Sequence, residues 1–273
     1  MKFFKAFVAA IVAAPMMIGA FFLDASAADL QQFSRHAEGG DVTVDNSAYA
    51  AFLNKYLKAS PDGVNLVDYG AVTKEDRESL QGYIRLLEAT DPTTLSKDEA
   101  FAFWGNLYNA VTLEVILEDY PVASIRDIKP NIFAVGPWGL EKTTVNGAAL
   151  TLDNIEHDIL RKFWDEPRVH YVVNCASIGC PNLRMEPWTA EGLDEALTAA
   201  AKDYINNPRG VAVTNGKVTA STIYKWFKKD FGASNANIIA HWKKYADDDL
   251  SAALDGVSRI NGYDYDWSLN DAK

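Results

Sequence analysis

Cysteine is nearly missing from this chain: 273 residues hold two, Cys175 and Cys180. Two cysteines exclude the disulfide framework that staples small secreted domains, and a chain of this length does not need one to fold. Positive charge is also short. The formal net charge of −11 becomes −12 once an N-terminal leader carrying Lys2, Lys5 and Asp24 is removed. Such a chain is not built to hold nucleic acid or anionic lipid. There is no low-complexity tract, no internal repeat and no Gly/Ser- or Pro-rich linker to divide the chain.

What is present begins with that leader. Lys2 and Lys5 precede the apolar run "AFVAAIVAAPMMIGAFFL", and Ala25-Ser26-Ala27 has the small-x-small pattern of a cleavage site. The run is almost long enough to serve as an uncleaved anchor, but the A-x-A ending favours cleavage after Ala27. The expectation is a signal peptide over residues 1–27 and a periplasmic or secreted mature protein. It has no membrane contact after cleavage and no nucleic-acid partner. Residues 28–63 read as an N-terminal helical segment and 64–273 as the main domain.

Caps and periodicity then predict the elements. Asp45 can open a helix through about Lys58, and a second helix falls near Lys74–Glu88. Ser96 and Glu99 form a capping box before the long helix "KDEAFAFWGNLYNAVTLEVILED", which must stop before Pro121. Asn146-Gly147 and Asn215-Gly216 each mark a two-residue hairpin turn. "DNIEHDILRKFW" reads as a helix, "RVHYVVN" as a strand, and further helices fall near Glu191–Ile205, in "TIYKWFKKDF" and in "NANIIAHWKKYA". Helices and hairpins alternate without regular strand–helix–strand spacing. The expected fold is therefore α+β, one domain with several helices on a small, mainly antiparallel sheet.

Some polar residues sit where apolar ones are expected. The long helix is apolar nearly all round, which buries it, yet Asn106 and Asn109 lie three apart on one side. Buried amides need partners, or each costs about 1–3 kcal/mol. They either pin neighbouring backbone or line a site, one of them orienting an imidazole. In "DNIEHDILRKFW" the core stripe is Ile155, Ile159 and Phe163, which leaves Glu156 as a cap carboxylate and His157 turned toward Trp164. If "RVHYVVN" is a strand, alternation turns His170 away from Cys175. His157 is then the better base for that thiol.

Three chemistries compete for the cysteine pair. A nucleophilic thiolate needs a base and an electropositive, partly exposed setting, and Ser177 and Gly179 could offer backbone amides to a developing oxyanion. A Cys175–Cys180 disulfide closes a short loop in a permissive compartment. A zinc site from His157, His170, Cys175 and Cys180 has suitable ligand types but no standard finger spacing.

Several segments together resemble the family catalogued as domain of unknown function 547. They are "FWGNLYNA", "SIRDI" with "PWG", "TLDNIEHDILR", "RVHYVVNCASIGCPNLR", "IYKWFKKDF" and "YDYDWSLN". The resemblance runs from about Val64 onward, with the motifs in order. The family is named for lacking an assigned function, so the resemblance implies a domain and little chemistry. Its motifs include positions matching Asn106, Asn109, Glu156, His157, Cys175 and Pro181, with the first cysteine more firmly in the pattern than the second. That raises nucleophile over disulfide.

The set of Cys, His and Asn or Glu is similar in kind to papain-like and transglutaminase-like hydrolases, although here His157 precedes Cys175. The leading expectation is a cysteine hydrolase or acyltransferase acting on an amide or thioester. Cys175 is its nucleophile, His157 its base, and Glu156 or Asn106 the orienting group. Asn109, Trp104, Trp138, Trp164 and Ser177 are candidate substrate contacts, with no cofactor and no metal in the site. The rivals are a non-catalytic module binding a peptide or small thiol, and a redox role for the cysteine pair.

Overall fold

Side-chain caps mark half of the helix starts in the computed structural model, which describes residues 30–39, 42–131 and 133–273. The leader lies outside the described residues. Helix α1 (Ser47–Tyr56) opens with Ser47 N donating to Asp45 Oδ1 at 2.9 Å. It stops two residues short of the expected Lys58, because the chain turns extended into β1 (Leu57–Ala59), paired antiparallel with β2 (Asn65–Val67). Thr73 caps α2 (Lys74–Glu88) by accepting from Asp76 N.

Ser96 caps α3 (Lys97–Asp119) by accepting from Glu99 N. The Glu99 carboxylate does not close the box. It accepts from Val44 N at 2.8 Å and Ala190 N at 3.2 Å, tying the start of α3 to two distant segments. Every residue from Glu99 to Leu113 is buried, as the all-round apolar pattern requires.

Both Asn-Gly turns form, with positive φ at each turn residue as a primed turn demands. Asn146-Gly147 joins β3 (Glu141–Val145) to β4 (Ala148–Thr151). A π-helical stretch, Asn154–Leu160, then runs into α4 (Arg161–Trp164), and α5 (Leu193–Ile205) follows the thiol loop. Asn215-Gly216 joins β5 (Val211–Thr214) to β6 (Lys217–Ser221). After α6 (Ile223–Trp226), α7 (Asn235–Tyr245) and α8 (Asp248–Ala253), β7 (Gly262–Asp264) returns to pair parallel with β6. The fold is α+β. Its strands fall into three small sheets of two, two and three strands, where one sheet was expected.

One element differs in kind. "RVHYVVN" is not a strand: Pro167–Tyr171 forms a 3-10 turn. Pro167 presets its first residue, and Glu166 accepts from both the backbone and the guanidinium of Arg168. Asn109 then takes Val172 O and Asn174 N, backbone groups a β ladder needs. Tertiary hydrogen bonds thus override the β-branched run, and the alternation that separated His170 from Cys175 does not apply.

The core has two apolar clusters. The larger surrounds α3, with Trp104 fully buried against Phe33 and Phe103. The smaller gathers Tyr171, Tyr204, Tyr224, Phe231 and Trp242 from the C-terminal part. Side chains of both clusters meet in one cleft.

Candidate functional site

That cleft, of about 170 Å³, is lined by Tyr108, Trp138, Asp153, Glu156, His157, His170, Cys175, Cys180, Ile223, Trp226, Phe227, Tyr265 and Trp267. The π-helical turn explains part of the list. Its i→i+5 bonding widens the helix, and Asp153, Glu156 and His157 all reach the cleft while Ile155 and Ile159 stay in the core.

The thiol loop is trussed from several directions. Asn109 holds the backbone on either side of Val173, and Asn174 accepts from Ala176 N and donates to Pro181 O. Ala176 sits at φ +57°, a left-handed conformation that a non-glycine residue rarely adopts. Gly179 lies so close to Asp266 that a Cβ there would meet its backbone at 2.8 Å. Ile178 N and Gly179 N donate to Ser268 O and Asp266 O. The Gly179 amide, a candidate oxyanion donor by sequence, is therefore already engaged.

This trussing puts the two sulfurs 2.7 Å apart, both as free thiols. Cys180 Sγ also accepts from Cys175 N at 3.0 Å and from the Tyr265 hydroxyl at 3.1 Å. Ser177 Oγ closes the network, 3.2 Å from Cys175 Sγ and 2.9 Å from Tyr265. Burial opposes ionisation of Cys180, but the hydrogen bonds from Cys175 and Tyr265 outweigh it and bring its pKa down to about 7. The hydrogen bond to Cys180 and burial push the Cys175 thiol up instead. One proton thus leaves the pair more readily than the second, with the charge favoured on the sulfur to which the Cys175 amide donates. Sequence reasoning expected the acidic thiol to be Cys175.

Both histidines line the cleft, yet no hydrogen bond joins either to a sulfur among the described residues. His157 Nδ1 lies 3.1 Å from Arg161 Nη1, and its Nε2 is 3.6 Å from Asp153. His170, buried and stacked on Phe227 at 4.1 Å, bonds Asp230 through Nε2 at 2.8 Å. Arg161 donates to the same Asp230 carboxylate. Burial lowers the His170 pKa to about 4, so that imidazole is neutral, a satisfied core histidine.

Glu156 lies 3.8 Å from a nitrogen of each histidine. Burial raises its pKa to about 8, with Arg161 opposing and the charge of Cys180 adding to the rise. The cleft therefore holds a neutral carboxyl beside an ionisable thiol pair.

The other expected site residues separate. Asn106 accepts from Trp188 N at 2.9 Å and donates to Trp188 O at 2.8 Å, so it clamps a loop and orients no imidazole. Trp104 lies beneath the site in the core. Trp164 packs on His36 and Phe101 and donates to Lys97 O, away from the cleft lining. Trp138 lines the cleft, Ser177 joins the thiol network, and Asn109 supports the loop from behind. No group of three or more His, Cys, Asp or Glu side chains among the described residues is arranged to hold a metal ion. Sequence reasoning gave no role to Tyr108, Trp226, Phe227, Tyr265 or Trp267. "YDYDWSLN" was visible as a motif, but nothing in it told which chain segment Tyr265 would meet.

Residues 92–205 are similar to the family model described as "Protein of unknown function, DUF547". No curated protein and no solved structure matches the chain. The matched segment contains both cysteines, both cleft histidines and Glu156, while Trp226, Phe227, Tyr265 and Trp267 lie beyond it.

Proposed function

We propose that the cleft is a dithiol–disulfide exchange site, in which Cys175 and Cys180 pass two electrons to or from a thiol-bearing partner. The observation that carries this reading is the contact between the two sulfurs, with Cys180 receiving donors from Cys175 N and Tyr265. In the oxidised pair, a partner thiolate attacks the less buried Cys175 Sγ. The Cys175–Cys180 bond breaks, a mixed disulfide forms on Cys175, and Cys180 leaves as a thiolate. A leaving thiol of low pKa departs faster, and stabilising it makes the disulfide more oxidising. A second partner thiolate then attacks the partner's own sulfur and expels Cys175 as a thiolate. The partner is oxidised by two electrons and the cysteine pair reduced. Cys175 takes up a proton as it leaves; Glu156, neutral at pH 7, lines the same cleft as a proton source, and the Ser177 and Tyr265 hydroxyls contact the sulfur directly. The leader pattern supports export to an oxidising compartment, where such an exchange has partners.

A second reading has its own observation. His157 lines the same cleft as Cys175, which suits acyl transfer by a cysteine nucleophile activated once substrate is bound. Equilibration in glutathione buffers of graded ratio, followed by thiol trapping and mass spectrometry, separates the two. Exchange predicts one cooperative loss of both thiols, abolished by either Cys175→Ser or Cys180→Ser. A Cys180→Ser protein that still forms an acyl adduct on Cys175 with an activated ester, from a parent that never forms the disulfide, overturns exchange in favour of acyl transfer.

A further inference from the structure

Resting on the exchange reading, we infer that the thiol-bearing partner is an extended polypeptide laid across an apolar rim outside the cleft. The size of the cleft makes the first point. At about 170 Å³ it holds roughly six waters, enough for a cysteine side chain and little beside it. Pockets that enclose a whole small ligand are about 300–1,000 Å³. Most of any partner therefore lies outside.

The surface outside supplies the second point. Trp226 is 48% exposed and packs on Tyr265 and Trp267, with ring centroids 4.9 and 5.6 Å away. Trp267 also lines an adjoining depression of about 460 Å³, where Val135 stands 60% exposed, and Phe133 two residues earlier is 88% exposed. Of the five large apolar side chains exposed among the described residues, Trp226 packs on Trp267, Val135 lines the depression beside it, and Phe133 stands two residues before Val135 in the chain. Scattered apolar residues need no explanation, but clustering beside a reactive centre marks a contact surface.

The charges decide the occupant. The depression is lined by two cations, Arg126 and Lys129, and two anions, Asp127 and Asp266. The Arg126 guanidinium is already stacked over Trp267, 5.1 Å from its ring. A balanced rim on an acidic chain offers no attraction to anionic lipid. Its two cations are matched by Asp127 and Asp266, so the carboxylates of a small thiol such as glutathione gain little there. An unfolded or loop segment with apolar side chains beside its cysteine meets all these conditions: thiol in the cleft, flanking side chains on Trp226, Val135 and Phe133.

The test compares two reductants of the oxidised full-length protein, glutathione and a cysteine peptide with apolar flanking residues, by stopped-flow tryptophan fluorescence. The peptide should react at least about 100-fold faster per mole than glutathione. The double variant Phe133→Ser/Val135→Ser should slow the peptide about tenfold, leaving glutathione and iodoacetamide rates unchanged. Glutathione reacting as fast as the peptide, or both slowing together in the variant, overturns the polypeptide assignment while leaving exchange standing. A concentration-dependent dimer, or cosedimentation with phosphatidylglycerol vesicles, that the double variant abolishes would assign the rim to a second copy or to a membrane, and overturns it too. Failure to oxidise the pair at all removes the exchange reading itself, and the two failures are therefore distinguishable.

Discussion

One wall of the cleft, drawn from residues 108–180, carries Glu156, two imidazoles and both thiols. The other, drawn from residues 223–267, carries Ile223, Trp226, Phe227, Tyr265 and Trp267. The first is titratable and sits against the large core around α3. The second is aromatic and grows from the smaller C-terminal cluster and the chain that follows it. The family match ends between them. The difference is a division of labour within the cleft: the thiols, imidazoles and carboxyls come from the matched segment, and most of the aromatic lining comes from outside it. Tyr265 crosses the division, since its hydroxyl reaches both sulfurs.

Trp104 is fully buried in the larger cluster, against which the titratable wall sits, and its loss should have the largest effect. Trp104→Ala should lower unfolding stability by about 3–5 kcal/mol, read from urea denaturation. A loss below about 1 kcal/mol would show that α3 does not hold this wall. Asn109→Ala comes next, because it strands Val172 O and Asn174 N without partners. At about 1–3 kcal/mol for each of the two buried groups, a loss of roughly 2–6 kcal/mol is expected. Iodoacetamide should also lose its preference for one ionised sulfur as the thiol loop loosens, so unchanged labelling would contradict the support assigned to Asn109.

Glu156→Gln tests the wall's electrostatics through pH. The folded pKa of about 8 lies above the unfolded value of 4.5. Below pH 4.5 both states are protonated and the substitution has no linkage effect. Between pH 4.5 and 8 the unfolded state releases a proton that the folded state keeps, so wild-type stability falls as pH rises. The difference, variant minus wild type, should grow by roughly 2–5 kcal/mol from pH 4.5 to pH 9. A flat difference in chemical denaturation across that range would mean that Glu156 ionises freely in the folded protein.

Smaller effects are expected on the aromatic wall. Tyr265→Phe removes one donor to Cys180 and should raise the pKa of the first thiol by about one unit, equivalent to about 1.4 kcal/mol. Alkylation rate against pH reads it, and an unmoved midpoint would make the aromatic wall a matter of shape alone. Trp226→Ala, at a half-exposed position, should change stability by less than about 1 kcal/mol and leave thiol acidity untouched. An acidity change there would erase the distinction between the walls.

What could be read from sequence was what local chemistry decides. Ser96 caps a helix, and the Asn-Gly pairs turn hairpins, because each satisfies its own neighbours. "RVHYVVN" could not be read, since the groups that forbid a ladder come from Asn109, 63 and 65 residues away along the chain. The candidate site was half legible. The thiols, Glu156 and His157 share a cleft, as their types suggested, but a spacing of five does not reveal that two sulfurs touch. Nor does a composition count place Tyr265, 90 residues from Cys175, against it. Asn106 and Asn109 were seen as two alternatives, and the backbone-pinning one describes their bonds.

The thiol loop takes hydrogen bonds from or gives them to Asp266, Ser268 and Asn270, and this sets an order of events during synthesis. A chain emerging from its N-terminus presents Cys175 and Cys180 long before the residues that fix their loop exist. Through that interval the sulfurs belong to an unstructured segment, open to whatever oxidant or stray thiol is at hand. A product that stops short of Tyr265 lacks both the hydroxyl that donates to Cys180 and the three backbone partners that fix the loop.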